Sequence, residues 1–187
     1  MSYIGTSTVY SVEWVVERLR EIQPRSIIDV GCGWGRWGCL AREFLELWEH
    51  RYQRHQWAVR IDALDVHPGT WTPLHRFVYD DIFQINALEW VPVRDYDVAI
   101  CCDVIEHMPK DQGKAFLARM RRCIPHVLVG IPIGKAWPLY GGFDGNEYAG
   151  HLARWEPEDF DSVQAKMTQT EDGLDYGLFH LLGGPSV

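Results

Sequence analysis

Apolar residues along this chain follow two periods that take turns. Val12, Val15, Val16, Leu19 and Ile22 recur at helical spacing, so a helix is expected over residues 10–22, stopped by Pro24. The run Ser26-Ile-Ile-Asp-Val30 is short, β-branched and nearly all apolar, as in a strand covered on both faces. Trp37, Leu40, Phe44, Leu47 and Trp48 restore the helical period over residues 36–48. A second strand is expected at 57–64, a short helix at 72–79 and a third strand at 82–85. A fourth strand is expected at 96–102. Pro109 opens the next helix, with Phe116, Leu117, Met120 and Ile124 facing inward and Pro125 ending it. A fifth strand follows at 127–131. Strands alternating with helices predict an α/β fold, a doubly wound and mostly parallel sheet in a single domain.

The last third reads differently. Residues 134–154 are rich in glycine, aromatic and polar side chains, so a long loop over the carboxyl edge of the sheet is expected there. Residues 156–166 read as a helix. Residues 176–182 read as a last strand, pairing antiparallel with residues near 167–170. Residues 1–9 are expected to form an arm or lid. The domain over 1–187 thus divides into an arm and helix (1–24), a ligand-binding core (25–133) and a substrate segment (134–187).

The first strand runs into glycines at 31, 33, 35 and 38. Glycine lets the backbone turn sharply and lie against a ligand. A strand, a glycine loop and a helix form the first unit of a nucleotide-binding α/β domain, with the ligand at the strand's carboxyl end. Gly33-Trp-Gly35-Arg-Trp-Gly38 matches the dinucleotide pattern G-x-G-x-x-G. Asp29-Val-Gly31-Cys-Gly33-Trp-Gly35 is an alternative unit, an acid followed by alternate glycines.

Charge and composition narrow the partners. The net charge of −8 disfavours unaided binding to nucleic acid or to an anionic membrane. A length of 187 residues allows one domain with a sizeable core, and the apolar content of 47% is that of a globular protein. The five cysteines include no C-x-x-C pair and read as reduced thiols, mostly in the core, which implies a cytoplasmic protein. No apolar signal core or membrane-crossing run is expected.

The alternate-glycine unit, an acid at the end of the second strand (Asp65) and Tyr96-Asp-Val-Ala-Ile-Cys-Cys-Asp-Val-Ile-Glu-His-Met-Pro109 occur in an order that resembles class I S-adenosylmethionine-dependent methyltransferases. The resemblance covers roughly residues 10–135. It implies a seven-stranded, Rossmann-like sheet and S-adenosyl-L-methionine as cofactor. Asp29, Gly31, Cys32, Gly33, Trp34 and Gly35 would cradle the cofactor from the loop, with Asp29 at its methionine end. Asp65 and Val66 would meet the ribose, the carboxylate accepting both hydroxyls, with Asp62 in reserve. Asn86 and Ala87 would meet adenine, the Asn86 amide carbonyl standing where the family often has an acid; Asp80 and Asp81 are alternatives. Cys102 and Asp103 would close the cradle. A nicotinamide dehydrogenase is the rival on the dinucleotide pattern, but 187 residues leave it little room for a substrate domain.

The expected reaction moves a methyl group to an O or N atom of a small-molecule or sugar-like acceptor. His107 is the natural general base, Glu106 orients it or binds substrate, and His151 faces the acceptor. The segment Asn146-Glu-Tyr-Ala-Gly-His151-Leu-Ala-Arg-Trp155 is similar to a loop of the small-RNA 3′-terminal 2′-O-methyltransferases, where a divalent metal is held. Matched to this chain, Asp103, Glu106, His107 and His151 are those positions. The primary expectation is a site with no metal and an acceptor that is not nucleic acid. A non-catalytic cofactor-binding protein on the same fold is the remaining alternative.

Overall fold

The computed structural model describes residues 8–142 and 145–183. Seven strands form one sheet in the order β3-β2-β1-β4-β5-β7-β6. β1 (Ser26–Val30) lies at its centre, parallel to β2 (Arg60–Asp65) and β4 (Val98–Cys102). β3 (Ile82–Gln84) and β5 (His126–Pro132) continue the parallel set. β7 (Asp175–Leu182) enters antiparallel between β5 and β6 (Gln164–Gln169). The expected doubly wound, mostly parallel sheet is therefore present, and its one reversed element is the hairpin at the end of the chain.

Alternation along each strand builds two cores. Ile27, Ile61, Val98 and Leu128 face α1 (Val12–Ile22), α2 (Arg36–Leu45) and α3 (Pro73–Val78). Ile28, Leu64, Ala99 and Val127 face α4 (Lys110–Cys123) and Trp155. α1 ends where Gln23 takes a left-handed conformation, φ 51°, just before Pro24.

Three expectations fail for physical reasons. β2 starts at Arg60 rather than 57, because the Ala58 and Val59 N–H groups donate to the buried Glu46 carboxylate instead of to a neighbouring strand. α2 stops at Leu45, and Trp48 lies half-exposed in a single 3-10 turn. Residues 156–166 form no α-helix. A 3-10 turn at Pro157–Asp159 is followed by the edge strand β6, whose side chains are nearly all exposed and so carry no buried stripe. The antiparallel pairing of the last strand is as expected, with Met167 opposite Gly177. Of the expected N-terminal arm, residues 1–7 lie outside the described residues.

Candidate functional site

The glycine loop is held from below by β2. Gly31 and Cys32 donate their N–H groups to the Leu64 carbonyl, at 2.8 and 3.2 Å. Gly31 has φ +68°, and a Cβ there would come within 2.8 Å of a Val104 methyl, so only glycine permits both the turn and the close packing. Asp65 fixes the tip: its Oδ2 accepts from Gly33 N–H and its Oδ1 from His67 N–H, each at 2.8 Å. One lone pair on each oxygen stays available to a ligand. His75 Nε2 lies 2.9 Å from the Gly33 carbonyl, so α3 braces the loop from the outside.

Asp29 is placed elsewhere than at the methionine end. It shares a strand face with Ile27, so its side chain points under α2 and α3 rather than toward the carboxyl edge. It is fully buried, and the Tyr79 hydroxyl donates to its Oδ2 at 2.5 Å while Oδ1 has no hydrogen-bond partner. Burial raises its pKa to about 7, against the lowering pull of Tyr79. Asp62 is also structural. It is buried and accepts from the Tyr96 hydroxyl at 2.8 Å, from Asp81 N–H and from Arg60. Gly35 caps α2 with φ 83° and packs against the His75 ring. Asp80 and Asp81 also serve the framework, Asp80 accepting from Arg42 and Asp81 pairing with Arg94.

A cavity of about 170 Å³ opens at the carboxyl edge between these elements. Gly31, Cys32, Gly33 and Trp34 line one wall, with Asp65 and Val66 beside them. Asn86 and Ala87, which follow β3, and Cys102, Asp103 and His107, at and after the end of β4, complete the lining. The Asn86 carbonyl oxygen accepts from Leu88 N–H at 2.9 Å, so one lone pair on that oxygen and the amide N–H₂ both remain for a ligand. Burial pushes the Cys32 and Cys102 thiols upward, so both stay protonated. Asp103 takes a left-handed conformation, φ 54°, pinned by its N–H donating to the Gly130 carbonyl at 2.8 Å.

The loop after β5 is fastened to the turn Ile105–His107. Leu152 and Ala153 both donate N–H groups to the Glu106 carbonyl, and His107 Nδ1 lies 2.9 Å from the Gly150 carbonyl. The Nδ1 nitrogen therefore carries the proton and donates, which leaves the Nε2 lone pair open. Burial lowers the His107 pKa. His151 lies behind it, ring centroids 5.2 Å apart, and stacks on Tyr140 at 4.7 Å. Burial and the neighbouring His107 depress the His151 pKa to about 4. Glu106 is buried with neither carboxyl oxygen hydrogen-bonded, and desolvation together with Asp103 raises its pKa well above the ordinary range. Glu106 and His151 do not reach the cavity wall, but single ligand atoms of Glu106, His107 and His151 lie within 4.8 Å of one another. Asp103 lines the cavity and is not in that group.

Trp155 is fully buried against Phe160, so it anchors the loop. Sequence reasoning missed Tyr79, the partner of Asp29, because a residue fifty positions away leaves no local pattern. It also missed Arg36, Met108 and Tyr148, which line the cavity and stand within three residues of positions it did select.

No family model and no curated protein matches this chain. Solved structures do. Magnesium protoporphyrin IX methyltransferase from Synechocystis, with bound S-adenosylhomocysteine, has a TM-score of 0.66 at 14% identity, over 93% of this chain and 82% of that one. The 1,6-didemethyltoxoflavin-N1-methyltransferase of Burkholderia thailandensis has a TM-score of 0.66 at 18% identity, over 93% and 78%. The methyltransferase domain of a bacterial Hen1 has a TM-score of 0.55 at 18% identity, over 92% and 96%.

Proposed function

With the fold of those methyltransferases as the premise, we propose that this chain binds S-adenosylmethionine and transfers its methyl group to an O or N atom of a small-molecule or sugar-like acceptor. One observation carries the reading: a single cavity runs from the glycine loop and Asp65 to the open Nε2 of His107. The residues present fit the cofactor. A glycine wall admits a close backbone approach, Asp65 keeps two lone pairs for a pair of ribose hydroxyls, and the Asn86 amide can donate to an adenine ring nitrogen. The cofactor supplies a methyl group on a sulfonium whose departure leaves a neutral thioether. The chain supplies alignment and, at His107 Nε2, a place for the acceptor's proton. Because His107 and His151 are held neutral by burial, the base is ready at neutral pH.

A second reading rests on Glu106. A buried carboxyl with two unbonded oxygens, facing two neutral imidazoles, has the donor set of a divalent metal site. Gly150 would then orient the His107 ligand through its carbonyl. Glu106, His107 and His151 would hold the ion, which would polarise an acceptor hydroxyl. Titration of chelator-treated protein with Mn²⁺, alongside His151→Ala, tests it; equal weak uptake by both proteins sinks it.

Calorimetric titration with S-adenosylmethionine tests the main reading. The expected result is micromolar binding, on the order of −8 kcal/mol, lost in Asp65→Ala. No binding to the unaltered protein, or equal binding to the variant, defeats the cofactor reading as drawn. Binding without turnover on any acceptor would leave a cofactor-binding protein.

A further inference from the structure

The cavity lies at the carboxyl edge of the parallel strands, and a pair of titratable rings sits at the opposite edge. His126 is the first residue of β5, and His180 lies on β7 directly across from Leu128. Alternation along the paired strands puts both rings on the face of the sheet that carries α1. His126 Nδ1 lies 3.0 Å from His180 Nε2, with ring centroids 5.1 Å apart. A contact this short holds a single hydrogen, donated by one nitrogen to the lone pair of the other. His180 is buried and His126 half-buried. The charges around them come from two other places in the chain. Asp97, just before β4, faces His126, while Arg18 and Glu21 of α1 face His180. Asp97 and Glu21 favour a proton on the pair, and Arg18 opposes it. Arg18 also reaches across to the Gln164 side-chain carbonyl, on the residue of β6 that pairs with His180.

One added proton leaves this contact intact, because an imidazolium can donate to a neutral imidazole. A second proton puts N–H groups on both facing nitrogens and sets two positive charges side by side, next to Arg18. The rings must then part. β6 joins the sheet through β7, and the Val163 N–H just before β6 donates to the His180 carbonyl at 2.9 Å. We infer that the His126–His180 pair is an acid-sensitive latch: when both rings are protonated, the His180 end of β7 comes away from β5 and α1 and takes the start of β6 with it. Burial lowers the pKa of both rings from the ordinary 6.5, so the folded protein holds fewer protons than the opened hairpin. The latch is therefore closed above about pH 6.5 and weakens as pH falls below it.

Amide hydrogen exchange of the whole chain tests this at about pH 7.5 and about pH 5, after correction for the intrinsic pH dependence of exchange. The β6 amides and the His180 end of β7 should lose protection by about tenfold or more at the lower pH, the factor that one unit of pKa displacement represents. The β1 and β2 amides, read in the same sample, should stay within about twofold, the usual error of additivity. In His180→Gln the tenfold loss should disappear, because a single ring cannot repel itself. His126→Gln, at the half-buried ring, should do the same and keeps the test open if the first variant fails to fold. Unchanged protection of the hairpin in the unaltered protein would mean that the rings part by side-chain rotation alone, and would overturn the inference. An equal loss across β1 and β2, or a loss that persists in the variants, would place the acid response elsewhere and overturn it as well.

Discussion

Asp62, within β2, and Glu106, in the turn after β4, are both buried acids, yet their surroundings are opposite. Around Asp62 the chain gathers the Tyr96 hydroxyl, the Asp81 N–H and the Arg60 guanidinium, with Arg94 at 3.5 Å. Beside the Glu106 carboxyl it sets a second acid, Asp103, which adds to burial in raising its pKa, although the same residue's backbone carbonyl takes two N–H groups. The β2 side of the molecule is finished as a framework, while the β4 side keeps a desolvated group in reserve. A buried polar group that folding leaves unpaired calls for a separate explanation, and a site waiting for its occupant is one. Asp65 lies between these extremes, with both oxygens engaged by the backbone and lone pairs to spare.

The comparison can be broken by substitution. The largest effect is expected for Asp62→Ala, which strands the Tyr96 hydroxyl and removes the partner of two guanidinium groups. Because both arginines reach solvent, the cost should sit near the low end for a broken buried pair, about 3 kcal/mol by chemical denaturation. A loss below about 1 kcal/mol would mean that the Asp62 network is not the framework described.

The next effect is a pH dependence. Asp29 has a folded-state pKa near 7 against an ordinary 3.8, so the folded protein holds more protons than the unfolded chain between those values. Its contribution to stability is therefore fully present below about pH 4 and is lost as pH rises through about 7. Asp29→Asn should flatten that part of the curve of denaturation midpoint against pH. An unchanged slope would place the titration elsewhere. The smallest effect is expected for Glu106→Gln. The carboxyl is already held neutral by burial and by Asp103, so stability should move by no more than about 1 kcal/mol. A loss as large as that of Asp62→Ala would show that Glu106 has partners and is no reserve.

The parallel core was legible because each of its elements carries its own period, with buried strands reading as apolar runs and helices as stripes. The edge strand β6 was not, since its side chains face solvent and its identity rests on main-chain pairing with β7. The same division runs through the site. Gly31, Gly33, Asp65 and His107, which line one cavity, could be singled out because the loop, the strand end and the turn are local features. Asp29 was found as a residue but assigned the wrong surroundings, because its direction depends on which strand face it shares with Ile27. Asn86 was placed on the cavity, while the bond that fixes its amide, to Leu88 N–H, is one that the letters alone do not reveal.

The fastening between the turn at 105–107 and the loop at 150–153 has a consequence for inheritance. The imidazole of His107 takes its orientation from the Gly150 carbonyl, and the segment carrying Gly150 is hung from the Glu106 carbonyl. On the proposed function, a graft that replaced this loop to admit a different acceptor would also re-aim His107. Under that reading, acceptor choice and proton transfer would form a single heritable unit, and a descendant that changed one would have to rebuild the other in the same step.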